Sequence, residues 1–212
     1  MRSRACFLGL LALAVTAAIA VAGGPAKAGR GGRPVSCAPE HWPIKTRWPV
    51  KTLSDRDAGR VNLAPRRTTV AALARLRRPR RLTERRIRPV EFRSYRIRAR
   101  LVEAIRDEMD RDIHLVVADL DHPGLTMITE LPDPACRGAQ RSPRRILMRR
   151  ARRAFEGACG RQRIGYNKPL GGIGTITGVA FFDRIKGQRG ISPNGIELHP
   201  LLGFKSAECV RP

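Results

Sequence analysis

"YRIRARLV", residues 95–102, alternates Tyr95, Ile97, Ala99 and Leu101 with Arg96, Arg98 and Arg100. A period of two predicts a β-strand with one face in a core and the other wet and cationic. Working downstream, the polar stretch "RDEMDRD" reads as a turn, and "IHLVVAD" alternates again from Ile113. A turn at Asp121-His122-Pro123-Gly124 then leads into "LTMITELP". Three strands joined by short polar turns form a meander. Ser142-Pro143 predicts a helix start, with a capping residue followed by proline at the first helical position. The helix is expected to run to about Glu156 and to stop near Gly157 and Gly160, with Ile146, Leu147, Ala151, Ala154, Phe155 and Ala158 as its apolar stripe. "GTITGVAFFD" and "NGIELHPLLGF" follow as two more strands. The order β-β-β-α-β-β is that of a five-stranded OB-type Greek-key barrel, so the fold class is mainly β with one helix. In the last strand Ile196 and Leu198 are expected to face inward. Glu197 and His199 then point outward as an exposed pair, with Pro200 marking an edge or a bulge.

Upstream of the barrel, the chain opens with Arg2 and Arg4, an uncharged run from Ala5 to Ala22, and a small-x-small site at Ala26-Lys27-Ala28. This is the pattern of a secretory signal peptide over residues 1–28. It predicts an exported protein, periplasmic or secreted, with no transmembrane segment after cleavage. Residues 29–89 form an irregular basic extension, and residues 90–212 the barrel domain. The extension contains an echo, Trp42-Pro43-Ile44-Lys45-Thr46 followed by Trp48-Pro49-Val50-Lys51-Thr52, and its tryptophans are expected to lie against the barrel. A short helix is predicted from Thr69 to Arg77. Cys37, Cys136, Cys159 and Cys209 remain once the leader with Cys6 is removed. In an oxidising compartment they predict two disulfides, with three pairings open.

Charge sets the partner class. The chain has 42 Lys and Arg against 18 Asp and Glu. Loss of Arg2, Arg4 and Lys27 with the leader would leave 39 against 18, a net charge of about +21. Such a field favours a polyanion, nucleic acid or an anionic envelope surface. Candidate contacts are Arg96, Arg98 and Arg100 on the first strand and Arg144, Arg145, Arg149, Arg152 and Arg153 on the helix. Acidic and imidazole groups form a second constellation. Asp107, Glu108, Asp110 and Asp112 offer oxygen ligands suited to calcium, with Glu197 a further candidate ligand, and nitrogen ligation by His114 or His199 would favour zinc. No G-x-S-x-G elbow occurs, and Gly171-Gly172-Ile173-Gly174 precedes a strand instead of a helix, which removes nucleophile-elbow and phosphate-loop chemistry.

Two resemblances accompany these readings. "MDRDIHLVV" and "ELPDP" resemble motifs of the staphylococcal nuclease family. That likeness implies a metal-dependent phosphodiesterase in which Asp110 and Asp112 match an acidic pair, Glu130 a metal ligand and Asp133 the general base; Arg161 or Arg163 would supply a phosphate-binding arginine. The chain also resembles a set of uncharacterised bacterial exported proteins through Val50–Asp55 (V-K-T-x-x-D), Asp112–Val116 (D-x-H-L-V) and Ile196–Pro200 (I-E-L-H-P). Three functions are therefore expected as alternatives: a polyanion binder, a nuclease, and a structural envelope protein.

Overall fold

The structure is a computed structural model that describes residue 37, residues 46–207 and residue 209. The expected leader, its cleavage site and Trp42 lie outside the described residues. In chain order the elements are α1 (Trp48–Lys51), a 3-10 turn (Ala58–Arg60), β1 (Asn62–Arg67), α2 (Val70–Ala74), a second 3-10 turn (Val90–Phe92), β2 (Arg93–Arg106), β3 (Ile113–Ala118), β4 (Thr126–Leu131), α3 (Arg137–Arg141), α4 (Arg145–Cys159), β5 (Asn167–Pro169), β6 (Ile173–Phe182) and β7 (Ile196–Ser206). The sheet runs β1-β2-β3-β4-β7-β6, and β6 returns to pair with β2, which closes five strands into a barrel. The OB-type architecture expected from the element order is thus present.

β2 makes closure possible because it is long enough to serve two neighbours. Ser94 to Arg100 pair with β6, and Arg100 to Arg106 pair with β3, with a bulge between Leu101 and Glu103. A bulge bends its strand and increases the local twist, which turns the corner of the barrel. The other end closes more weakly. β4 and β7 run parallel and share one registered pair, Thr129 with Leu198.

Tyr95, Ile97, Ala99 and Leu101 from β2 meet Leu115, Val117, Met127, Leu131, Ile176, Phe182, Ile196 and Leu198 in the core. Arg96, Arg98 and Arg100 stay exposed, as the alternation predicts. Opposite His199 and Pro200 on β7 the ladder shifts register, passing from Ala180–Leu198 to Gly178–Leu201, so Pro200 does mark a bulge.

α4 starts at Arg145, two residues after the predicted proline, and runs on to Cys159. Ser142 is engaged elsewhere: its hydroxyl donates to the Leu53 carbonyl at 3.0 Å and accepts from the Arg144 amide at 3.1 Å. The buried face of the helix is Met148, Ala151, Arg152, Phe155 and Cys159, rotated from the expected stripe, and Ile146 is exposed. Phe155 packs edge-on against Phe204 at 5.2 Å between ring centroids.

The extension consists of short elements and belongs to the same compact unit as the barrel. Leu53, Ala58 and Val61 form an apolar cluster with Val179 on the outside of the barrel wall. Trp48 lies beside a disulfide, Cys37–Cys136, and a second disulfide joins Cys159 to Cys209. These two pairings resolve the three that spacing alone left open. The short helix α2 is capped as expected, the Thr69 hydroxyl accepting from the Ala72 amide at 3.0 Å. Among the described residues no helix is long and apolar enough to cross a membrane.

Candidate functional site

Two chemically opposite regions emerge. The first is the wet face of β2. Parallel β1 sets Arg66 and Arg67 beside Tyr95 and Arg96. Thr175 and Thr177 of β6 lie opposite Arg98 and Arg96. A cleft of about 420 Å³ runs between them, lined by Arg67, Thr68, Thr69, Arg96, Arg98 and Thr175, with Asp119 and Asp121 at one side. Arg96 makes a bond to the Thr177 hydroxyl at 3.2 Å. Among the described residues, Arg66, Arg67, Arg96, Arg98 and Arg100 make no ion pair with a carboxylate.

The helix arginines divide. Arg145, Arg149 and Arg153 are exposed, and Arg144 is half-buried. Arg152, expected to grip a polyanion, is instead buried at 4% exposure. Its guanidinium donates to the Leu131 carbonyl (2.9 Å) and the Arg111 carbonyl (3.1 and 3.2 Å) and pairs with Glu156. It is a brace between α4 and the barrel. A second cleft, of about 340 Å³, is lined by Arg106, Arg149, Arg152, Arg153 and Arg161 together with Asp133 and Glu156. Its arginines are partly neutralised, since Arg106 pairs with Asp133 at 2.7 Å.

The second region lies under α1 on the outer face of β3, β4 and β7. Antiparallel pairing sets His114 directly opposite Glu130, where side chains share a face. The Thr129–Leu198 register brings Glu130 alongside His199. His114 Nε2 lies 2.6 Å from Glu130 Oε1 as an ion pair. His199 approaches Glu130 Oε2 at 2.9 Å through Nδ1 and Asp112 Oδ2 at 3.4 Å through Nε2. Asp112 is fixed by the Asp133 amide, which donates to its Oδ1 at 2.8 Å. Lys51 closes the cluster, with Nζ at 2.9 Å from Asp183 and 3.9 Å from Glu130. The Phe181 ring packs against His199 and beneath Arg47.

Glu197 and His199 are therefore not an exposed pair: they are 1% and 0% accessible. Both do point away from the barrel core, but residues 47–61 cover that face. Asp112 and Glu130 are equally enclosed, at 0% and 1%. Asp110 is half-buried and lies outside the set formed by Asp112, Glu130 and His199. Asp133, the expected general base, is 5% exposed and engaged by Arg106 and by the Ala135 amide at 2.8 Å.

Electrostatics follow from packing so many carboxyls together. Burial raises the Asp112 carboxyl above its ordinary range despite His199 beside it. Burial and the charge of Glu130 push Glu197 up to about 8. Burial with the charge of Asp112 raises Asp110 to about 8. The imidazoles move in the favourable sense. Burial alone would depress them, but the Glu130 carboxylate outweighs it and lifts His114 to about 10 and His199 to about 9. Glu130, flanked by His114, His199 and Lys51, is held well below the usual carboxylate range although burial opposes this. The cluster thus draws positive charge to itself.

Its hydrogen bonding is incomplete. Among the described residues Asp112 Oδ2, Glu130 Oε2, Glu197 Oε2 and both ring nitrogens of His199 are buried without completing a hydrogen bond. The His199 contacts are thus close in distance but lack hydrogen-bond alignment. Sequence reasoning missed Lys51, Phe181 and Asp183 as parts of this cluster. Lys51 was signalled only by its place in the V-K-T-x-x-D stretch. Comparison with known proteins finds no matching protein family, curated protein or solved structure.

Proposed function

We propose that this is an exported OB-type protein that binds a polyanionic chain, in the first place single-stranded nucleic acid, along the arginine strip of β1 and β2. One observation carries the reading: Arg96, Arg98 and Arg100 are exposed in a row, with no carboxylate neutralising them. Alternate residues of a strand are about 6.6 Å apart, so the three guanidinia form an extended cationic track. Thr68, Thr69 and Thr175 add hydroxyls along the cleft beside it. Arg96, Arg98 and Arg100 have no intramolecular ion pair to break, whereas Arg106 and Arg152 of the second cleft are held by Asp133 and Glu156. Stacking contributes little, because Tyr95 is turned into the core at 7% exposure, so binding rests on phosphate contacts and is weakly sequence-selective. The two disulfides support an oxidising compartment.

The test is fluorescence anisotropy of a labelled single-stranded oligonucleotide over a salt series, with the parent and with Arg96, Arg98 and Arg100 all changed to Ser. Each phosphate contact contributes about −0.7 to the slope of log affinity against log salt, so the triple variant should flatten the slope by about 2. Anionic vesicles form a parallel arm. Preference of the parent for vesicles over the oligonucleotide, or an unchanged slope in the triple variant, overturns the reading.

A further inference from the structure

We infer that Asp112, Glu130 and His199 form a buried binding site for a divalent transition-metal ion, with zinc as its best probe, and that the ion clamps the parallel seam of the barrel. The three residues can each offer one ligand atom, all within 4.8 Å of one another. They come from three separate places in the chain: Asp112 just before β3, Glu130 on β4 and His199 on β7.

The cluster is more than a group of acids. His199 is 0% exposed, and neither of its ring nitrogens completes a hydrogen bond. Asp112 Oδ2 and Glu130 Oε2 are buried and unsatisfied in the same way. Unsatisfied buried polar atoms each cost roughly 1–3 kcal/mol, so the two carboxylate oxygens together with one ring nitrogen of His199, gathered in one place, indicate a missing common partner. A cation satisfies carboxylate oxygen and imidazole nitrogen together, which no single donor or acceptor can do. Geometry agrees. Zinc bonds of about 2.1 Å in a tetrahedron separate neighbouring ligand atoms by about 3.4 Å, and His199 Nε2 stands 3.4 Å from Asp112 Oδ2.

Ligand chemistry chooses the ion. One imidazole with two carboxylates, sealed from water, disfavours calcium, which takes six to eight oxygens, and suits zinc or a neighbouring first-row ion. Asp112, Glu130 and His199 are 0%, 1% and 0% exposed, so an ion held there is enclosed by the protein. The place matters for the fold. β4 and β7 share a single registered pair, Thr129 with Leu198, and Glu130 and His199 are the next residues along each strand. An ion joining them reinforces the one ladder of the barrel that backbone pairing leaves thin.

The experiment uses the full mature chain without an affinity tag, stripped with chelator and reloaded with zinc, cobalt or calcium. One equivalent of zinc should survive gel filtration and raise the melting temperature, calcium should do neither, and the cobalt form should show the visible d–d absorption of a low-coordinate nitrogen–oxygen site. Asp112→Asn and His199→Gln should lose the zinc, while His114→Gln, which touches Glu130 from outside the trio, should keep it. Where a variant fails to fold, the cobalt spectrum of the parent decides alone. The inference falls if the folded parent binds no zinc, if calcium stabilises it as much as zinc does, if zinc persists in His199→Gln, or if cobalt gives no such spectrum.

Discussion

Truncating Arg47 to Ala should unfasten the extension from the barrel. All five guanidinium N–H groups are engaged. Nε donates to the Thr83 carbonyl at 2.6 Å, Nη1 to Glu91 Oε1 at 2.8 Å and the Phe182 carbonyl at 2.9 Å, and Nη2 to the Arg85 carbonyl at 2.8 Å and Glu91 Oε2 at 2.7 Å. One side chain thereby joins α1, the segment 83–91 and the end of β6. Glu91 is 0% exposed, so removal of the arginine leaves a sealed carboxylate without its counter-ion. Breaking a buried pair from one side costs about 3–5 kcal/mol. Glu91 keeps the amides of Ile87 (2.7 Å) and Phe182 (2.8 Å), which places the loss near the lower end. About 3 kcal/mol is a fall in urea midpoint of about 1.5 M at a slope near 2 kcal/mol/M, or about 6–12 °C in Tm. Arg47→Lys keeps the charge but not the fork, and should fall between the two. Arg47→Met with Glu91→Leu should recover part of the loss, giving a coupling energy above about 2 kcal/mol in the double-mutant cycle. A loss under about 1 kcal/mol for Arg47→Ala, or additive single substitutions, would refute the docking role.

The remaining predictions concern acid stability and cross-links. Burial would raise the Asp119 carboxyl, but donation from the amides of Ala71, Asp121 and His122, and the His122 ring beside it, lowers it overall. A depressed folded value means stability that is present above the unfolded value of about 3.9 and lost as pH falls through the folded one. The gap in unfolding free energy from urea titration between the parent and Asp119→Asn should therefore be about 1–2 kcal/mol at neutral pH and shrink below pH 4; a gap that stays constant contradicts the assignment. Denaturing alkylation of residues 29–212 without reductant should label no thiol. Removing Cys159–Cys209, whose cysteines are 50 residues apart, should cost about 4 kcal/mol from loop entropy.

What the sequence disclosed and what it withheld have one physical cause. β2 is legible because its outward residues are arginines facing water, so the period of two survives intact. β7 follows the same period, yet its outward Glu197 and His199 are enclosed, because an acid and an imidazole read as solvent-facing unless something is known to cover them. The cover, residues 47–61, has no periodicity to announce itself. A cue was nevertheless present. Val116, Ile128 and Phe181 occupy outward positions beside His114, Glu130 and His199, and all three are buried. Bulky apolar residues on a supposedly wet face imply a second layer. Arg152 misled for the complementary reason: a guanidinium can occupy an interior helix position when backbone carbonyls surround it, as those of Leu131 and Arg111 do.

The two candidate sites are also linked through the way the fold distributes charge. Among the described residues, Glu91, Glu103, Asp112, Asp119, Glu130, Asp133 and Glu197 are buried, against Arg47, Lys51, Arg86 and Arg152. Withdrawing seven acids against four bases leaves the exterior of the described residues relatively richer in basic groups. The buried pair Arg47–Glu91 occupies one of these acids at the seam between extension and barrel, so it is not available to neutralise β2. Under α1 the carboxyls of Asp112, Glu130, Asp183 and Glu197 meet Lys51, His114 and His199. Sequestering acids to dock the extension thus has two consequences at once: it leaves the arginine strip without intramolecular ion pairs, and it gathers carboxyls and imidazoles in one enclosed cluster.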